Sequence, residues 1–217
     1  MAIDNYFNLK TTIANFLARD DLNTEIDDFI DLTEADFNRR LRVRNMETID
    51  TSFTIDSETE SLPQGFLQVR SFFINTGGGK EPLTLLTPHH QYSTAGGSRS
   101  GTPRAFSIEG TSFRFSPAPD TAYTANLVFY KAFDSINGTH PTTNHILSIH
   151  PDVYLYGALY FASTFFRGMD PTTIQQFKAQ YESALQQVEM ADEKDKYNGT
   201  PLIQRSGINI NNLDNVK

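Results

Sequence analysis

The sequence predicts an α+β fold: a four-helix body, a central antiparallel β sandwich or barrel, and an extended C-terminal tail. Three observations carry this prediction. Apolar residues recur at three-and-four spacing through the first 45 residues, which is the signature of amphipathic helices. Between about residues 48 and 135 the period drops to two and Gly and Pro punctuate short runs, as in a compact antiparallel sheet. From Pro151 the helical spacing returns. Residues 1–47 and 146–192 are therefore assigned to the helical body, 48–135 to the β domain and 193–217 to the tail.

In the first helix the stripe is Tyr6, Leu9, Ile13, Phe16 and Leu17, with an end expected near Arg19. Asp20-Asp21-Leu22-Asn23 breaks it, and Asn23 or Thr24 suits the cap of a second helix. That helix buries Ile26, Phe29, Ile30, Thr33, Phe37 and Leu41. Its outer face begins acidic, with Glu25, Asp27, Asp28 and Asp31, and finishes basic, with Arg39, Arg40, Arg42 and Arg44. This order complements the helix dipole at both ends.

Strands follow. Thr51, Phe53 and Ile55 alternate with polar residues, and Phe66 to Ile74 forms a second run ended by Thr76-Gly77-Gly78-Gly79, a hairpin turn. Shorter strands are expected at Leu83–Leu86, Ala105–Ile108, Phe113–Phe115 and Tyr123–Phe133, the last two flanking the turn Ser116-Pro117-Ala118-Pro119-Asp120.

Pro151 suits the first position of a helix spanning about Asp152 to Arg167, and Ser148 or His150 stands near its cap. Val153, Leu155, Leu159, Ala162, Phe165 and Phe166 make it apolar nearly all round, so it is expected to be buried on more than one side. Gly168 ends it, and Asp170-Pro171 starts a last helix with the stripe Ile174, Phe177, Tyr181, Leu185 and Val188. The four stripes need one another as partners. From Asp192 the chain turns polar, and Asn198-Gly199-Thr200-Pro201 opposes a helix. Tyr197, Leu202, Ile203, Ile208, Ile210 and Leu213 punctuate this tail, and Ile208-Asn209-Ile210-Asn211 alternates like a strand without a nearby partner. Such a segment is expected to order when laid on another protein.

Composition narrows the function. The formal charge of −8 opposes a phosphate-gripping nucleic-acid reader, which needs clustered positive charge, but suits a wall that DNA passes without sticking. With no cysteine the chain has no disulfide, thiol nucleophile or zinc-thiolate site. No apolar run approaches the ~20 residues that span a bilayer, and Met1 to Lys10 lacks the layout of a secretory signal. A soluble protein made in the cytoplasm is the expectation.

No catalytic or cofactor signature emerges. His89-His90 lacks a carboxylate to complete a metal set and reads as a surface loop. The Gly-rich run Ser93 to Gly101, which holds Gly96, Gly97 and Arg99, leads into Thr102-Pro103 and a strand, so it fails the phosphate-loop pattern and reads as a loop between strands. Arg39, Arg40, Arg42 and Arg44 lack the interleaved aromatics of a nucleic-acid patch, and Asp36 at four-residue spacing from Arg40 offers an ion pair. Asp27, Asp28, Asp31 and Glu34 show no sign of the two facing carboxyls that glycoside hydrolysis needs, and read as a solvated helix face. His150-Pro151-Asp152 reads as a helix start, with Asp152 in the positive first turn.

Two stretches carry a family resemblance. Arg114, Phe115, Pro117 and Pro119 end a strand before an aromatic strand, and His150, Pro151, Asp152, Tyr156, Gly157 and Ala158 open a helix in the pattern H-P-[DE]-x-x-x-Y-[GA]-[AL]. Near the start, FIDLTEADFNRRLRVRNMET, from Phe29 to Thr48, supplies Phe29, Ile30, Leu32, Glu34, Arg39, Leu41, Arg42, Met46 and Glu47, with Thr33 replacing a usual alanine. In this succession the chain resembles the head-to-tail adaptors of tailed bacteriophages, most of all the tail tubular type of short-tailed phages. The resemblance runs from the Tyr6 helix through the Tyr181 helix.

That resemblance implies a non-enzymatic virion protein at the head–tail interface, assembled in the host cytoplasm without cofactors or membrane. It implies a ring of identical subunits, commonly twelve, between the portal protein and the tail nozzle, with a channel that DNA traverses without sequence-specific binding. The tail residues from Tyr197 to Leu213 would anchor the ring on the portal. The His89-His90 and Gly96-Gly97-Arg99 segment would meet the next tail protein or a neighbour, and the arginine cluster a neighbouring subunit. Two other readings are an adaptor-like protein with peptidoglycan hydrolase activity and a glycan-binding tail or baseplate protein.

Overall fold

Asn5 opens the first helix, α1 (Tyr6–Leu17), by accepting a hydrogen bond from the Asn8 amide at 3.0 Å. The computed structural model describes residues 3–94, 100–139, 141–166 and 169–197. Ala18, in the left-handed conformation (φ 51°), ends α1 just short of the expected Arg19. In α2 (Asn23–Arg40) the cap position is Leu22, so Asn23 and Thr24 lie inside the first turn instead of capping it. Leu22 is buried and its carbonyl accepts from Ile26 at 2.9 Å, so packing of an apolar side chain sets this start where a polar cap was expected.

A 3-10 turn (Arg44–Met46) leads into β1 (Glu47–Ile55), followed by β2 (Thr59–Ser61), β3 (Phe66–Thr76), β4 (Gly79–Pro82) and β5 (Thr84–Leu85). The expected hairpin joins β3 to β4, with Thr76 opposite Gly79 and Gly79 at φ 137°. A short helix α3 (Pro88–Thr94) precedes β6 (Ala105–Glu109), β7 (Ser112–Ser116) and β8 (Tyr123–Lys131). The strands form two four-stranded sheets in the orders β1-β8-β3-β4 and β2-β7-β6-β5. All pairs are antiparallel except the two-residue β5–β6 contact. Inward residues of both sheets share one apolar cluster, and Phe113 meets the rings of Phe53, Phe66, Phe72, Phe106 and Phe115.

The chain then returns to the helices through α4 (His145–Ile149), α5 (Pro151–Phe165) and α6 (Pro171–Tyr197). Stripes of α1, α2, α5 and α6 form a second apolar cluster that includes Leu9, Ile30, Phe37, Leu159 and Leu185. The α+β class, with a sandwich-like pair of sheets, is therefore the observed one. Pro151 occupies the start of α5 as expected, while His150 holds the cap position without a side-chain bond. Phe165 departs from the expected burial: it is 60 % exposed, with its ring edge on Phe29 at 5.6 Å. Gly168 lies outside the described residues.

Helix α6 also runs farther than expected, through Tyr197, five residues into the segment read as tail. The polar composition there conceals helical pairing. Asp192 meets Lys196 at 2.6 Å one turn on and accepts from the Arg44 amide at 2.8 Å.

Candidate docking site on the helical body

A buried polar network fixes the join between sheet and helices. Glu34, on α2, accepts hydrogen bonds from the Ile136 amide at 2.9 Å and the Tyr154 hydroxyl at 2.8 Å. Asn144 donates to Tyr154 Oη at 2.6 Å and to the Asp134 carbonyl at 3.0 Å, and caps α4 by accepting from Leu147 at 3.0 Å. Asn38 accepts from the Phe133 amide at 2.9 Å. Burial pushes the Glu34 carboxyl above its ordinary range, while its donors work against that shift. Tyr154 is pushed up by burial and by the Glu34 charge.

Between the Arg44–Met46 turn, α4 and the last turns of α6 lies a cleft of ≈ 250 Å³. Val43, Ile146 and Val188 line it as buried apolar residues, and Ile149 and Asp195 are exposed lining residues. His145 lies on one wall, its ring stacked on Phe133 and its Nε2 2.7 Å from Asn45 Nδ2. Burial, and then the neighbouring His150, lower the His145 pKa, which keeps its ring neutral down into the ordinary histidine range and below. The sequence reading missed this cleft because its lining comes from three separated segments.

The four arginines do not act as one patch. Arg40 grips Glu182 of α6 with both terminal guanidinium nitrogens, the Nη1 contact being 3.0 Å, and reaches Asp36 at 3.3 Å, as its spacing suggested. Tyr181 donates to the same Asp36 at 3.0 Å. Arg44 reaches Asp195 at 3.4 Å. Arg42 donates to the Asn38 carbonyl at 3.0 Å, and its buried Nε has no acceptor. Arg39 projects outward with its side chain 73 % exposed, touching Asp36 at 3.4 Å.

His89 and His90 lie on α3, not in a loop: Pro88 fits a first helical turn, and Gln91 N–H bonds the Thr87 carbonyl at 3.0 Å. Both histidines are exposed. Gly96, Gly97 and Arg99 lie outside the described residues, as do Leu202, Ile203, Ile208, Ile210 and Leu213; Tyr197 is the last residue of α6. Of the acidic run, Glu34 belongs to the core, while Asp27 bonds Tyr6 and pairs with Lys10 at 2.5 Å. Among the described residues no group of three or more His, Cys, Asp or Glu is placed to hold a metal ion. Nor, among those residues, is any helix long and apolar enough to cross a membrane.

No curated protein matches the chain in sequence. The family model of the SU10 adaptor protein matches residues 4–205, which takes in every helix and strand described above. The chain therefore belongs to the SU10 adaptor protein family: it is a phage adaptor, a structural component of the virion that binds other structural proteins of the particle.

Proposed function

We propose that this adaptor is a head-to-tail connector of the tail tubular protein A-like kind found in short-tailed phages. Identical subunits, twelve in number, close a ring between the portal and the tail nozzle, and DNA leaves the head through its channel. The observation that carries this reading is the family match over nearly the whole chain. The net charge of −8 supports it, because an acidic wall repels the DNA backbone and favours rapid passage.

In this reading residues 1–47 and 146–192 form the ring body and 48–135 a β domain that faces the tail. Leu202, Ile203, Ile208, Ile210 and Leu213 anchor the ring on the portal. Each anchor is weak, and repetition around a ring multiplies it. His89 and His90, with Gly96, Gly97 and Arg99, meet the tail nozzle or a neighbour, and Arg39 is the member of its cluster best exposed to meet a neighbouring subunit. The protein assembles in the host cytoplasm and acts without a cofactor. Negative-stain imaging of the protein mixed with the portal ring of its own phage tests this: a second ring stacked on the portal is expected, and portals left bare would overturn it.

A further inference from the structure

Helix α3 is fastened to the second sheet by polar groups. Phe106 and Ile108 of β6, and Phe113 and Phe115 of β7, turn toward the shared apolar cluster, so Ser107, Glu109 and Arg114 stand on the outward side. Ser107 is fully buried although it faces away from that cluster, and α3 is the helix packed against its strand. From Pro88 to Tyr92, Gln91 is the one buried residue of α3, and none of these five joins either apolar cluster.

The contacts centre on Arg114. Gln91 donates to the Arg114 carbonyl at 3.0 Å. The Arg114 guanidinium lies over the Tyr92 ring, 5.0 Å from its centre, while the Tyr92 hydroxyl donates to Glu109 at 3.2 Å. Arg114 Nε donates to the same Glu109 oxygen at 3.2 Å, and Nη1 pairs with Glu58. Ser107 holds the other Glu109 oxygen at 3.1 Å. This fastening is weak. Gln91 Oε1 is buried without a partner, which penalises the docked position. The Arg114, Glu109 and Glu58 side chains are 26 %, 27 % and 53 % exposed, so water and salt screen the charges.

We propose that α3 is a releasable strap, clasped on the outward face of the second sheet by Arg114 and able to lift off while both sheets stay folded. A helix of seven residues is not stable alone in water, so a strap that lifts also unwinds. The strap carries His89 and His90, and its release lengthens the reach of that segment toward a neighbour. This consequence rests on the connector reading, but the release itself is a property of the single chain.

The sequence has no cysteine, so Ser107→Cys supplies a single thiol under the strap. In the full chain without denaturant, a thiol reagent is expected to label it faster than the protein unfolds globally, yet far more slowly than a free cysteine. Adding Tyr92→Ala, at an exposed position, is expected to speed labelling about tenfold while leaving the denaturant midpoint almost unchanged. Raising salt from about 0.1 M to about 1 M, which shortens the screening length from roughly 10 Å to roughly 3 Å, is expected to speed it as well. Hydrogen exchange in the natural chain gives a second reading that needs no substitution: the Gln91 amide, bonded to the Thr87 carbonyl, should exchange well before the β6–β7 ladder amides. A thiol labelled only at the rate of global unfolding, or at once like a free cysteine, would overturn the proposal. So would a Gln91 amide as slow as the ladder. Ring stacking on the portal is measured separately, so either failure leaves the connector reading standing.

Discussion

Tyr154 of α5 donates its hydroxyl hydrogen bond to Glu34 of α2 at 2.8 Å, across 120 positions of sequence. The same carboxylate oxygen receives the Ile136 amide at 2.9 Å, and Asn144 braces the tyrosine. Glu34 thus ties two helices of the body to the segment that returns from the sheet. Its cost is desolvation, which raises its pKa in the fold.

The pH dependence follows from that direction. A carboxyl whose pKa is raised on folding contributes its full stability below the ordinary glutamate range, and loses it as pH rises through the raised value. Glu34→Gln keeps an acceptor for both donors and removes this titration. Urea denaturation from pH 4.5 upward is therefore expected to show Glu34→Gln gaining on the natural protein and then levelling off. Glu34→Ala, which strands the Ile136 amide and the Tyr154 hydroxyl, is expected to cost about 2–4 kcal/mol.

Gly157 marks a close approach of α5 to α2 and α6. A methyl there would overlap Thr33 Cγ2 and stand 3.0 Å from the Tyr181 ring. Alanine favours a helix interior by up to ~1 kcal/mol over glycine, but overpacking costs about 1–3 kcal/mol. Gly157→Ala is expected to lower the melting temperature, and Thr33→Ala in the same chain to recover part of the loss as a measurable coupling.

The arginines are predicted to separate by role. Arg40→Ala and Glu182→Ala should each cost up to about 1 kcal/mol at low salt, with most of the effect shared in a double-mutant cycle. Arg40 holds the Glu182 carboxyl below its ordinary range, so this contribution is present above the ordinary carboxylate range and is lost as pH falls through the lowered value. Arg39→Ala should leave chemical denaturation almost unchanged. If Arg39 meets a neighbouring subunit, Arg39→Glu weakens ring formation, read by sedimentation, without unfolding the chain.

In the sheet pair, Phe113→Ala should cost about 3–5 kcal/mol, because its ring sits among five others. Denaturant midpoints check this.

The long helices were legible because Ile26, Phe29, Ile30 and Phe37 repeat at helical spacing over several turns, and the β3–β4 hairpin because Gly77-Gly78-Gly79 interrupts the strand pattern, with Gly79 taking the positive φ. Helix α4 was not, since five residues are too few for a period to emerge. The last turn of α6 was hidden for another reason: Asp192 and Lys196 stabilise it by pairing with each other, which composition reads as polar tail. Glu34 was read with the acidic surface run, yet its spacing held the signal. It stands four residues after Ile30 and three before Phe37, on the buried stripe. The cleft could not be read at all, because Val43, Ile146 and Val188 are brought together only by the fold.

Native mass spectrometry of the portal ring with this protein tests the connector most directly, using the full chain and a chain ended after Tyr197. The full chain is expected to add to the portal as a complete ring of twelve subunits, and the shortened chain, still folded, to add none. A portal whose mass stays unchanged with the full chain would contradict it.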